Sequence, residues 1–117
     1  MLFRDAVTAH TGWKLRVARY LSCPDGTLQA AAARQDNRCE LGRWLYGEGR
    51  SFQLLAEYQR LLAVHTRLHE SAGELVHRAN LGEPVSKERS MNEGSPFGIA
   101  TKELVGALER LKARTGL

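Results

Sequence analysis

LLAEYQRLLAVHTRLHESAGELVHRANL, residues 54–81, is the longest stretch of the chain with sustained helical spacing. Leu54, Leu55, Tyr58, Leu61, Leu62, Leu68, Ala72, Leu75, Val76 and Ala79 return every three or four residues, which marks one face of a helix. Ser51 stands where an N-cap is wanted, so the segment predicts a helix of about 30 residues, about 45 Å long. Gly82-Glu83-Pro84 reverses the chain after it.

The same period continues on both sides. Phe3, Ala6, Val7, Trp13, Val17, Tyr20 and Leu21 predict a helix from about residue 2 to 22, stopped by Pro24-Asp25-Gly26. Thr27 is placed to cap a short helix through Ala30–Ala33, and residues 34–38 (RQDNR) read as a polar loop ending at Cys39. Residues 40–46 suit another short helix, closed by Gly47 and Gly49 in a turn with unusual backbone angles. Beyond the long helix, residues 86–92 predict a short one. Gly94-Ser95-Pro96 then interrupts, and a final helix over 96–113 presents Ile99, Leu104, Val105, Leu108 and Leu111.

Leu occurs 17 times and Ala 14, against 13 for Val, Ile and Thr together, so composition favours helix over strand. The expectation is an all-α antiparallel helical bundle. It has four long or medium helices, a short helix after the Cys39 loop, and one domain over residues 1–117.

The formal charge of +4 comes from cations scattered singly among acids, without a basic run or interleaved aromatics, which argues against nucleic acid as a partner. No window approaches the roughly 18 apolar residues of a membrane span, and no leader pattern opens the chain; no membrane partner and a cytoplasmic location are expected. Two cysteines, Cys23 and Cys39, are too few for a secreted disulfide framework and suit thiol or metal chemistry in a reducing compartment.

His65 and His69 stand four apart in the longest helix, so their rings leave the same face about 6 Å apart along its axis. Both fall on the apolar arc of Leu61, Leu62, Leu68 and Ala72, where an imidazole needs a partner or suffers desolvation. His10 likewise interrupts the stripe between Val7 and Trp13. A single such histidine is commonly a hydrogen-bonded core residue; with Cys39, the three make a set of three nitrogens and one sulfur suited to tetrahedral Zn2+. His77 lies roughly 12 Å beyond His69 along the axis and reads as a solvated or capping side chain. Cys23, beside Pro24, reads as a small buried or half-buried residue. Asp36, Glu40 and Glu70 are acceptors for imidazole N–H groups or plain surface acids. A zincin would place Glu after the first histidine, where this chain has Thr66, and four protein ligands leave no open position, so no catalytic residue is expected.

His10-Thr-Gly-Trp13 resembles the His-x-x-Trp of the bacterial chemoreceptor zinc-binding domain family. Cys39-Glu-Leu-Gly42-Arg-Trp44-Leu45 is similar to that family's Cys-x-x-Gly-x-Trp. His65-Thr-Arg-Leu68-His69-Glu-Ser-Ala72 is similar to its His-x-x-Phe-His-x-x-Ala, with Leu68 in the aromatic's place. Ser95-Pro-Phe97, Leu104-Val105 and Leu108 resemble its final helix, so the likeness runs over about residues 2–114.

The resemblance implies zinc ligation by His10, Cys39, His65 and His69. It also implies a helical bundle, usually a homodimer, that senses zinc or hypochlorous acid through the zinc-bound Cys39. The signal would pass to a chemotaxis or cyclic-di-GMP partner, either in trans or in a longer parent chain. Trp13 and Trp44, each a few residues past a ligand, are expected to pack around the site and shield the thiolate. Two other classes stay open: a plain helical interaction module with hydrogen-bonded histidines, and a helical-bundle enzyme with a di-iron or haem centre. The second lacks the Glu-x-x-His pairs that di-iron sites use.

Overall fold

In the computed structural model, which describes residues 3–117, the first stripe becomes α1, Phe3–Ser22, with Phe3, Ala6, His10, Val17, Tyr20 and Leu21 buried. The start expected at residue 2 lies outside the described residues. Gly26, at φ +82°, turns the chain where an L side chain would be strained. Asp25 accepts from both the backbone N–H and the hydroxyl of Thr27, so Thr27 belongs to that turn and is not the expected cap. The second helix, α2, Ala30–Arg34, starts behind Gln29 with no side-chain cap. Cys39 then caps α3, Glu40–Tyr46, its Sγ accepting from the Gly42 N–H. Gly47 has φ −113° and ψ −111°, outside the ordinary regions, but Gly49 sits in a regular 3-10 turn, Glu48–Phe52. A Cβ at Gly49 would stand 2.7 Å from the Trp44 ring, so close approach, not backbone angle, is what that glycine supplies.

The long helix α4 spans Ala56–Asn80 and is shorter than expected, because Ser51 lies inside the 3-10 turn and Leu55 takes the cap position. Leu54 therefore leaves the stripe and is 96% exposed. From Tyr58 onward the stripe holds: Tyr58, Leu61, Leu68, Ala72, Val76 and Ala79 are buried, and Leu62 and Leu75 are half-buried. Ser86 caps α5, Lys87–Met91, by accepting from the Arg89 N–H. Ser95 caps α6, Pro96–Thr115, whose buried face is Phe97, Ala100, Leu104, Ala107, Leu108 and Leu111. Phe97 sets the phase of that face, so Ile99, two residues round the helix, is exposed and Val105 is half-buried.

Among the described residues an all-α bundle results, with three long helices where four long or medium ones were expected. Arg114 pairs with Glu57, and Arg67 with Glu103, so α6 runs antiparallel to α4. His10 meets His65 and the Tyr20 hydroxyl meets Asn80, so α1 and α4 run in the same direction. Residues 23–55 carry the chain back along the bundle between them. A main core joins Phe3, Val17, Leu41, Leu45, Leu61, Leu68, Phe97 and Leu104, and a smaller cluster of Tyr20, Ala33 and Val76 seats α2. Burial of each large aliphatic contributes about 1.5–3 kcal/mol, far more than the partly exposed ion pairs that decorate α4 and α6. Among the described residues no helix is long and apolar enough to cross a membrane.

Candidate metal centre

His10 from α1, Cys39 from the cap of α3, and His65 and His69 from α4 converge, with one potential ligand atom from each lying within 4.8 Å of the others. Cys39 Sγ is 3.2 Å from His65 Nε2, 3.7 Å from His69 Nε2 and 3.8 Å from His10 Nε2, and the His10 and His65 Nε2 atoms are 3.3 Å apart. Tetrahedral zinc, with bonds of about 2.3 Å to sulfur and 2.0–2.1 Å to nitrogen, requires S···N near 3.6 Å and N···N near 3.3 Å. The donor set therefore fits zinc in chemistry and in spacing. All four ligands read from the sequence are brought together; His77, exposed near the end of α4, is outside the cluster.

Two rings have fixed tautomers. His10 Nδ1–H donates to the Ala6 carbonyl at 2.8 Å and His69 Nδ1–H to the Ala33 carbonyl at 3.0 Å, leaving both Nε2 lone pairs free for a metal. Backbone carbonyls thus do what acids were considered for. The His10 partner, four residues back on its own helix, was within reach of sequence reasoning; Ala33 reaches His69 only because α2 packs on α4. His65 Nδ1 is buried and has no hydrogen-bond partner among the described residues. Glu40 and Glu70 are exposed, whereas Asp36 is half-buried and accepts from the Tyr46 and Thr66 hydroxyls.

Burial sets the protonation states. It pushes His65 down to about 3, helped by the neighbouring His69 and His10 and opposed by Asp36. Desolvation likewise lowers His10 and His69, against the hydrogen bonds to Ala6 and Ala33. The rings are therefore neutral near pH 7, the form that ligates metal. Burial raises the Cys39 thiol, with the Gly42 and Leu41 N–H groups opposing. Burial also opposes charge on Asp36, but the Thr66 and Tyr46 hydroxyls, with the imidazoles of His65 and His69, outweigh it and hold the carboxyl below its ordinary range. Tyr46 is pushed up to about 12, by burial and then by the hydrogen bond to Asp36.

Trp13 lies over the centre: its ring is 4.6 Å from His69, 6.4 Å from His10 and 5.9 Å from Phe97. Trp44 takes Phe3 and Phe52 as ring partners, so it packs the base of α3 and not the imidazoles. Leu68 is buried in the main core. Cys23, expected at least half-buried, is exposed, because Pro24 and Gly26 turn its segment outward.

A family model described as the chemoreceptor zinc-binding domain matches residues 10–76, more than half of the chain, and the matched span holds all four candidate ligands. The segment likened to the family's final helix lies beyond that span. Comparison with curated proteins and with solved structures gave no match.

Proposed function

The chain belongs to the chemoreceptor zinc-binding domain family, and from that membership we propose a non-enzymatic sensory domain that reads hypochlorous acid through Cys39. The supporting observation is the asymmetry of the ligand set. His10, His65 and His69 are buried on long helices, whereas Cys39 is half-buried at the end of a loop between two short ones. Zinc, when bound, keeps a coordinating thiol deprotonated and so in its nucleophilic form. The Cys39 sulfur attacks the chlorine of hypochlorous acid; an S–Cl bond forms as the Cl–O bond breaks, and hydroxide leaves. Water then displaces chloride, giving the sulfenic acid and a proton, with sulfur oxidised and chlorine reduced to chloride. A sulfenic acid is a poorer ligand, so the Cys39 loop loses its tie to the histidines and carries the signal. Sensing of zinc itself is the second reading, favoured by neutral imidazoles that are ready to ligate.

We propose further that it works as a cytoplasmic homodimer and signals to a chemotaxis or cyclic-di-GMP partner, in trans or in a longer parent chain. Light scattering at micromolar concentration tests the dimer, which fails if the mass is that of one 13.0 kDa chain. The oxidant reading is tested on zinc-loaded protein given one equivalent of hypochlorous acid, with released zinc followed by a chromogenic chelator and thiols by mass spectrometry. Oxidation at Cys39 with zinc release is expected. Modification of the exposed Cys23 alone, with zinc retained, would remove the oxidant reading and leave zinc sensing.

A further inference from the structure

Three ligands are fixed by long helices, but the sulfur's position depends on residues 35–38, which join α2 to Cys39. Asp36 holds that loop from two sides. Its Oδ2 accepts from the Thr66 hydroxyl and from the Tyr46 hydroxyl, each at 2.7 Å. Thr66 directly follows His65 on α4, and Tyr46 is the last residue of α3, so one carboxylate oxygen joins the loop to both elements that carry its neighbours. The Asp36 carbonyl meanwhile rests on the first turn of α3, where a Cβ at position 42 would come within 1.9 Å of it.

Of the three imidazoles, that of His65 alone has no hydrogen bond at Nδ1 among the described residues, so the bond from the adjacent Thr66 to Asp36 is what ties this turn of α4 to the loop.

On the zinc reading above, we propose that Asp36 is a positioning residue of the metal centre, a clamp on Thr66 and Tyr46 that sets the distance from the Cys39 sulfur to the imidazoles. Groups that orient ligands without touching the metal are worth about 10–100-fold in affinity. Asp36→Ala should therefore weaken zinc binding by at least about tenfold in a chelator competition. It should also reduce the sulfur-to-cobalt charge-transfer band of the Co2+-loaded protein, a signature of thiolate ligation that a uniform loss of stability leaves alone. Asp36→Asn, which keeps an acceptor oxygen for both hydroxyls, should recover much of the affinity. The double variant Tyr46→Phe, Thr66→Val removes both donors, keeps the carboxylate, and should behave like Asp36→Ala; it decides the matter if Asp36→Ala does not fold. Wild-type affinity and an unchanged band in the double variant would overturn the clamp while leaving the zinc site standing. Failure of the wild type to bind Zn2+ would overturn the zinc reading and the clamp with it.

Discussion

Gly42→Ala is the smallest change expected to disable the metal centre. A Cβ at position 42 would lie 1.9 Å from the Asp36 carbonyl oxygen, which is backbone and cannot swing aside. Carbon and oxygen need about 3.3 Å, so the loop or the first turn of α3 must move by about 1.4 Å. Zinc–ligand distances tolerate about 0.2 Å, several times less than that shift. Alanine's better helix propensity returns about 1 kcal/mol, which the displacement outweighs. The Cys39 sulfur, three residues from Asp36 and three from Gly42, moves with the loop, and zinc affinity should fall by about 100-fold, or about 2.7 kcal/mol. Gly98→Ala supplies the control, since its Cβ would stand 2.0 Å from the Asn92 carbonyl behind Ser95, a cap built like that of Cys39 but without a ligand. It should destabilise the metal-free protein by about 1–3 kcal/mol while zinc affinity stays within about threefold of wild type. Chelator competition gives the affinities and urea unfolding of metal-free protein the stabilities. Wild-type zinc affinity in Gly42→Ala, or an equal loss in Gly98→Ala, would refute the geometry.

Zinc uptake near neutral pH should release about one proton per ion, from sulfur, because burial raises the metal-free Cys39 thiol and lowers the three imidazoles. Calorimetry in buffers of different ionisation enthalpy reads this, and affinity should weaken about tenfold for each unit of acidification below the thiol's pKa. Trp13→Ala removes the ring stacked on His69 and against Phe97 and should cost about 3 kcal/mol in thermal or urea unfolding. A change under about 0.5 kcal/mol would mean that the indole is no part of the core. His77→Ala should leave zinc affinity unchanged, whereas Cys39→Ala should abolish tight binding; equal behaviour of the two would contradict the ligand assignment.

The long helices and three of the four candidate ligands were legible because each rests on local period, whereas Cys39, at the end of a loop, was legible only from its residue type and motif. His65 and His69 share a face at any pitch close to ideal, and His10 betrays itself by breaking an apolar stripe. Elements fixed by tertiary contact were less visible. Ser51 has the chemistry of a cap, yet it lies inside a 3-10 turn packed under the Trp44 ring at Gly49, so α4 starts only at Ala56 and Leu54 is exposed. Thr27 was lost to Asp25 two residues away. The Ala33 carbonyl on His69 and the Asp36 bonds to Tyr46 and Thr66 span ten or more residues, beyond the reach of any spacing rule. Gly42 carried a signal in its family motif, but the carbonyl it accommodates shows only in three dimensions.

Zinc K-edge absorption on protein purified without added chelator, with metal content measured on the same sample, addresses the site itself. One zinc per chain is expected, with a shell of one sulfur at about 2.3 Å and three nitrogens at about 2.0–2.1 Å. Substoichiometric zinc, or a shell without sulfur, would contradict ligation by His10, Cys39, His65 and His69.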